Sequence, residues 1–242
     1  MRVPRLYLNL PLAPNQIIEL SDDRHHYLAR VLRLKLNHPL VVFNGKSGEY
    51  TASVAATGKK SSTIHIESFV EANRESPLYT ELAIGMSKGE RMDWVMQKTT
   101  ELGVSRIVPL YTERTEVKLD DKRLANKLQH WQQIVISACE QSQRTIVPVV
   151  EEPKKIIDYI ATCDKQKRLL LDVDGQRPWE DKLNKPATLA LLVGAEGGLS
   201  QHEIATAKQH DFHCCALGPR ILRTETAPLA VLSIAQQFWG DI

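Results

Sequence analysis

Long apolar runs are missing from this chain: nothing approaches the ~20 residues that a helix needs to cross a bilayer. The opening Arg2-Val-Pro-Arg-Leu-Tyr-Leu-Asn9 is broken by proline and polar residues before an apolar core can form, so no signal peptide is expected. A cytoplasmic address with no membrane partner follows. Cysteine is scarce. Cys139, Cys163, Cys214 and Cys215 form no Cys-x-x-Cys pair and sit in segments patterned as helix or strand, which favours reduced structural thiols and predicts no metal. Charge of one sign is also lacking, since 31 Lys and Arg face 29 Asp and Glu. That balance excludes a histone-like polycation. Two phosphate cradles fail on spacing. Gly194 followed by the adjacent Gly197-Gly198 is not the Gly-x-Gly-x-x-Gly of a dinucleotide fold, and Gly45-Lys-Ser47 has Leu40 where a P-loop requires glycine. Asn44 to Gly48 reads instead as a hairpin turn.

What is present is ordinary globular material, long enough for one large domain or two small ones. Up to residue 72 the pattern is short β runs (Val3 to Leu8, Ile17 to Leu20, Leu40 to Phe43, Tyr50 to Ala55, Thr63 to Phe69) with one helix from Asp22 to Arg33, which predicts a small barrel. Lys and Arg outnumber Asp and Glu there by 9 to 6, against 22 to 23 in the remainder. Arg2, Arg5, Arg24, Arg30, Arg33 and Lys35 can therefore present a local basic surface to phosphates, the plain alternative being a solvated mixed-charge face. The polar stretch Glu71-Ala-Asn-Arg-Glu-Ser-Pro77 marks a boundary, with domains over 1–72 and 73–242.

Beyond the boundary, strands alternate with longer amphipathic helices. Leu82 to Met86 and Ile107 to Tyr111 read as strands around a helix from Arg91 to Leu102 that buries Met92, Val95, Met96 and Leu102 and stops at Gly103. Leu124, Leu128, Trp131, Val135 and Ala138 form the stripe of a long helix over Lys122 to Gln143. Strands follow at Arg168 to Val173, Leu189 to Val193 and Phe212 to Leu217. This alternation predicts an α/β fold with a mostly parallel sheet covered on both faces.

Two loops carry the chemistry. Val193-Gly-Ala-Glu-Gly-Gly-Leu-Ser200 and Leu217-Gly-Pro-Arg-Ile-Leu-Arg-Thr-Glu-Thr-Ala227 each follow an apolar strand and feed a helix start, the first through the capping box Ser200-x-x-Glu203, the second at Thr226 with Pro228. A small ligand is expected in the crevice beyond those strand ends.

Both loops, with Met86-Ser-Lys-Gly-Glu-Arg-Met-Asp-Trp94, Gln97-Lys-Thr-Thr-Glu-Leu-Gly-Val104, Glu113-Arg-Thr-Glu-Val-Lys-Leu-Asp120, Ala138-Cys-Glu-Gln-Ser142 and the opening Arg2-Val-Pro-Arg-Leu-Tyr7, resemble the bacterial 16S ribosomal RNA uridine-N3 methyltransferases of the SPOUT superfamily. One departure is Ala195, where that family usually has proline. The resemblance implies a PUA-like β-barrel domain ahead of a SPOUT domain with a C-terminal trefoil knot, an exception to the rule that backbones do not knot. It also implies a homodimer, S-adenosylmethionine as cofactor, and 16S rRNA, within the assembled small ribosomal subunit, as substrate.

On that resemblance, Leu171, Gly194, Glu196, Gly197, Gly198, Leu217, Gly218, Ile221, Leu222, Arg223 and Thr224 would hold the cofactor, the glycines by close backbone approach and the leucines by lining an adenine slot. Without it, the leucines read as core. Arg223 would bond a uracil carbonyl and Glu225 would accept the N3 proton or orient the base; the simpler view is that Glu225 complements a helix N-terminus and Arg223 pairs with it. Arg2, Arg5, Arg30, Arg33, Lys88, Arg91, Lys98, Arg114, Lys118 and Arg144 would meet RNA phosphates. Two rivals share most of this sequence: another SPOUT enzyme acting on a ribose hydroxyl or a tRNA guanine, and a non-catalytic RNA-binding ribosome-assembly protein.

Overall fold

The structure, a computed structural model, describes residues 3–46, 48–117, 120–176 and 185–242. Arg2 and Lys118, expected at RNA, lie outside the described residues. The chain divides into two compact units, one running up to Glu75 and including Cys139–Val147, the other made of Ser76–Ala138 and Pro148–Ile242.

The first unit is a five-stranded sheet in the order β1 (Arg5–Tyr7), β3 (Pro39–Phe43), β4 (Glu49–Thr57), β5 (Ser62–Val70), β2 (Ile17–Leu20). The β1–β3 pair is parallel; the other pairs are antiparallel. Register shifts at Thr51/Ala52 and Val54/Ala56 bend β4, which helps the sheet curl around a core that includes Leu6, Leu40, Val42, Val54, Ile64 and Ile66. The expected helix from Asp22 begins as α1 (Asp22–His26) and continues as a π-helical turn over Tyr27–Val31. Arg33, at φ +52, then breaks it. Leu28 enters the core from this segment, while Arg30 and Arg33 stay exposed.

Two expected phosphate ligands are structural instead. Arg5 is 8% exposed, bonds Glu49 at 2.5 Å and lies 5.0 Å over the Phe43 ring. Arg144, 4% exposed, bonds the Glu75 carboxylate. Each is a buried guanidinium paired with a carboxylate, so neither presents an exposed face to RNA. Arg74 also bonds Glu49 at 3.0 Å. Burial pushes the Glu49 carboxyl up, but the bonds from Arg5 and Arg74 outweigh it and hold it below the usual carboxylate range. A depressed folded-state pKa stabilises fully above the unfolded value of about 4.3 and less as pH falls through the folded one. The thermal midpoint should therefore drop on acidification below about pH 4, and Glu49→Gln should flatten that part of the profile, as calorimetric scans across the range would register.

The second unit holds an all-parallel sheet ordered β12 (His213–Cys215), β10 (Lys167–Gln176), β11 (Thr188–Val193), β6 (Tyr79–Gly85), β7 (Arg106–Tyr111), β8 (Val149–Val150), with β9 (Lys154–Lys155) also pairing β7. Central strands β6 and β11 are buried almost throughout, as their apolar runs require. Ala83, Val108, Leu170, Ala190 and Leu192 pack with Ile156 and Ile160 of α4 (Ile156–Thr162) and Ala207 of α5 (Gln201–Gln209). By strand alternation their neighbours face the other side, where α6 (Ala227–Trp239) packs on α2 (Arg91–Glu101) and β11. In α3 (Asp121–Ser142) the expected stripe is fully buried from Trp131 onward, whereas Leu124 and Leu128 are half-buried, as is Leu102 after α2. The capping box at Ser200 is present. Among the described residues, no helix is long and apolar enough to cross a membrane and no cluster of metal-ligating side chains forms.

Candidate functional site

Strand order decides where the two loops meet. Because β10 lies between β12 and β11, the chain leaving β11 at Val193 and the chain leaving β12 at Cys215 flank the carboxyl end of β10 from either side. Between them is a cavity of about 520 Å³, within the roughly 300–1,000 Å³ usual for small-ligand sites.

Its walls include Leu171, Gly194, Glu196, Gly197, Gly198, Leu217, Gly218, Ile221, Leu222 and Thr224, all expected from the sequence. Asp172, Asp174, Ile204, Cys215 and Arg220 also line it and were missed, as their only signal was proximity to the ends of strands and helices. Burial pushes the Cys215 thiol up to about 12, so it meets the cavity as a neutral, largely apolar group. Arg223 does not line the cavity. Its side chain is 82% exposed, and its two neighbours, Leu222 and Thr224, turn inward instead.

The first loop is a closed turn. Gly198 N donates to Ala195 O at 2.9 Å, and Gly198 sits at φ +70, where a side chain would be strained. Ala195 is 4% exposed within this turn. Below it, Gly85 at the end of β6 has no room for a side chain: a Cβ there would lie 2.4 Å from Ala195 N. Glu203 is fully buried. Its carboxylate accepts from Ser200 N at 2.7 Å and from Glu113 N at 2.8 Å, joining the start of α5 to the loop after β7. Glu203→Ala strands both donors and should cost about 1–3 kcal/mol of stability, visible as a lowered denaturation midpoint.

A charge cluster lies at the rim. Glu196 accepts from Lys88 N at 3.1 Å and from Arg91 Nη1 at 2.5 Å. Burial raises the Glu196 carboxyl, but these bonds and its own backbone amide hold it below the usual range, so it is ionised at neutral pH. Arg91 Nε also lies 3.7 Å from Glu225 Oε2, and Arg223 Nη1 is 3.9 Å from Glu225 Oε1. The Glu225 side chain, 19% exposed, is thus flanked by two guanidinium groups. Lys88 bonds Glu116, and Lys98 bonds Glu101 while lying over the Trp94 ring. Of the expected phosphate ligands in this unit, Arg91 and Arg114 are turned toward the loop, Arg114 donating to Gly197 O at 2.7 Å.

The donor set suits S-adenosylmethionine in its chemistry: glycine turns would offer backbone to polar edges, Leu171, Leu217 and Leu222 form an apolar wall, and three lining carboxylates, Asp172, Asp174 and Glu196, would favour a cationic ligand.

Comparison with known proteins points the same way. Residues 74–236 match the RNA methyltransferase domain family and residues 20–67 the RNA methyltransferase PUA domain. The ribosomal RNA small subunit methyltransferase E of Buchnera aphidicola subsp. Schizaphis graminum is 34% identical over 242 residues, 100% of this chain and 98% of that one. A Legionella pneumophila protein in complex with bound SAM superposes with a TM-score of 0.96 at 40% identity, covering 100% of both chains. The ribosomal RNA small subunit methyltransferase E of Neisseria gonorrhoeae bound to S-adenosyl methionine gives 0.92 at 35%, again over 100% of both.

Proposed function

The chain belongs to the ribosomal RNA small subunit methyltransferase E family, and on that premise we propose that it methylates N3 of a uridine in 16S rRNA using S-adenosylmethionine. The observation that carries this reading is the cavity between the two glycine loops; Glu225 does not line it but is linked through Arg91 to Glu196, which does. The cofactor supplies an electrophilic methyl group on a sulfonium. The chain's own task is to hold that group, admit the base and manage one proton. Alignment is the larger contribution, about 7–11 kcal/mol of barrier, against ~10²–10⁴ in rate from a general base. Glu225 is assigned to take the N3 proton. Arg223, exposed and 3.9 Å from Glu225, is assigned to a uracil carbonyl, where its charge stabilises the anionic ring. It is not assigned to the cofactor.

The first unit is read as the RNA-binding PUA-like domain, with Arg30 and Arg33 toward phosphates. The last crossovers are read as a trefoil knot: β12 adds at the sheet edge beside β10, yet α6 returns to pack on β11, so residues 216–226 must cross back over the end of β10. A homodimer, a cytoplasmic address and action on the assembled small subunit complete the proposal. Nucleoside mapping of 16S rRNA from cells lacking the protein should show loss of one 3-methyluridine; an unchanged modification profile would remove the reading.

A further inference from the structure

We propose that Arg114 is a positioning residue for the cofactor loop, setting affinity for S-adenosylmethionine, and is not a phosphate ligand; this rests on the function proposed above. The loop after β7 is built to present it. Thr115 N donates to Thr112 O at 3.1 Å, Thr112 N donates to Thr115 Oγ1 at 3.1 Å, and the two hydroxyls are 2.9 Å apart. These bonds close a tight turn with Arg114 at its tip.

From there the side chain reaches the loop after β11. Arg114 Nη1 donates to Gly197 O at 2.7 Å, while Gly198 N, in the same peptide unit, donates to Ala195 O at 2.9 Å. That peptide plane is therefore held at both of its polar ends. The arginine stem packs directly on Gly197, where an added Cβ would lie 3.0 Å from Arg114 Cβ and 3.3 Å from Cδ. The adjacent Glu113 N bonds Glu203, which locks Ser200 N at the far end of the same loop. One short turn thus grips the loop at its middle and at its exit. A charge-assisted bond is about twice as strong as a neutral one, and guanidinium geometry suits a fixed, directed contact better than an ammonium does.

The two roles separate by experiment. In Arg114→Met, calorimetric titration of the full-length protein with S-adenosylmethionine, without RNA, should show about tenfold weaker binding. Cofactor KM should rise far more than kcat falls, and the slope of log RNA affinity against log salt should stay as in the parent. Arg114→Lys keeps the charge but not the directed guanidinium bond to Gly197 O, and should weaken the cofactor in the same direction without touching the salt slope; it stands in if Arg114→Met does not fold. Unchanged cofactor affinity in both variants, or a salt slope flattened by about one unit in Arg114→Met with cofactor affinity intact, overturns the proposal in favour of a phosphate contact. Failure of the parent protein itself to bind S-adenosylmethionine would instead remove the function on which it rests.

Discussion

Glu225→Gln is expected to slow methyl transfer by about 10²- to 10⁴-fold, the range of a lost general base, while leaving S-adenosylmethionine affinity within about twofold. The amide is nearly isosteric and keeps a carbonyl oxygen toward Arg91 or Arg223, so the rim can stay folded. What it cannot do is accept the N3 proton. Single-turnover rates at saturating cofactor, measured with small-subunit RNA, isolate this step. If the rate survives and only the melting temperature falls, Glu225 serves helix α6 and its neighbours rather than the reaction.

The second large effect is at Gly85, which no loop motif pointed to. A methyl group there would meet Ala195 N at 2.4 Å and Gly194 C at 3.0 Å, and both are backbone atoms that no rotamer change can move aside. The sheet or the loop after β11 must shift. Overpacking of this kind costs about 1–3 kcal/mol, and a misplacement near 1 Å at a catalytic loop costs about 10² in rate. Gly85→Ala should therefore fold with a lowered midpoint, lose most cofactor affinity in calorimetry, and lose activity with it. Normal cofactor binding in this variant would show that the loop tolerates displacement and that its close packing on β6 is incidental.

Much of this was legible in the residues. The alternation of apolar strands and amphipathic helices from Leu82 onward announced a parallel sheet, because burial on both faces demands continuous Val, Leu, Ile and Ala runs such as Leu189 to Val193. The capping box at Ser200 was readable because its two hydrogen bonds span only three residues. Less legible were β8, β9 and α4, whose two, two and seven residues are too short to establish a period. The membership of Cys139–Val147 in the first compact unit also left no trace, since helix α3 runs unbroken across that division.

The charged residues show the boundary most sharply. Arg5, Arg30, Arg114 and Arg144 are one residue type in sequence, yet two are buried against carboxylates, one is exposed, and one is tied to a loop carbonyl. Local sequence determined which strands, helices and turns would form and that two glycine loops would open at strand ends, because hydrophobic period, capping and turn preference act over a few residues. Only the tertiary structure decided that those loops share one cavity, that Arg91 lies between Glu196 and Glu225, and which cations remain free, because strand order and the pairing of side chains from Arg5 to Glu49, or from Arg114 to Gly197, act between residues far apart along the chain.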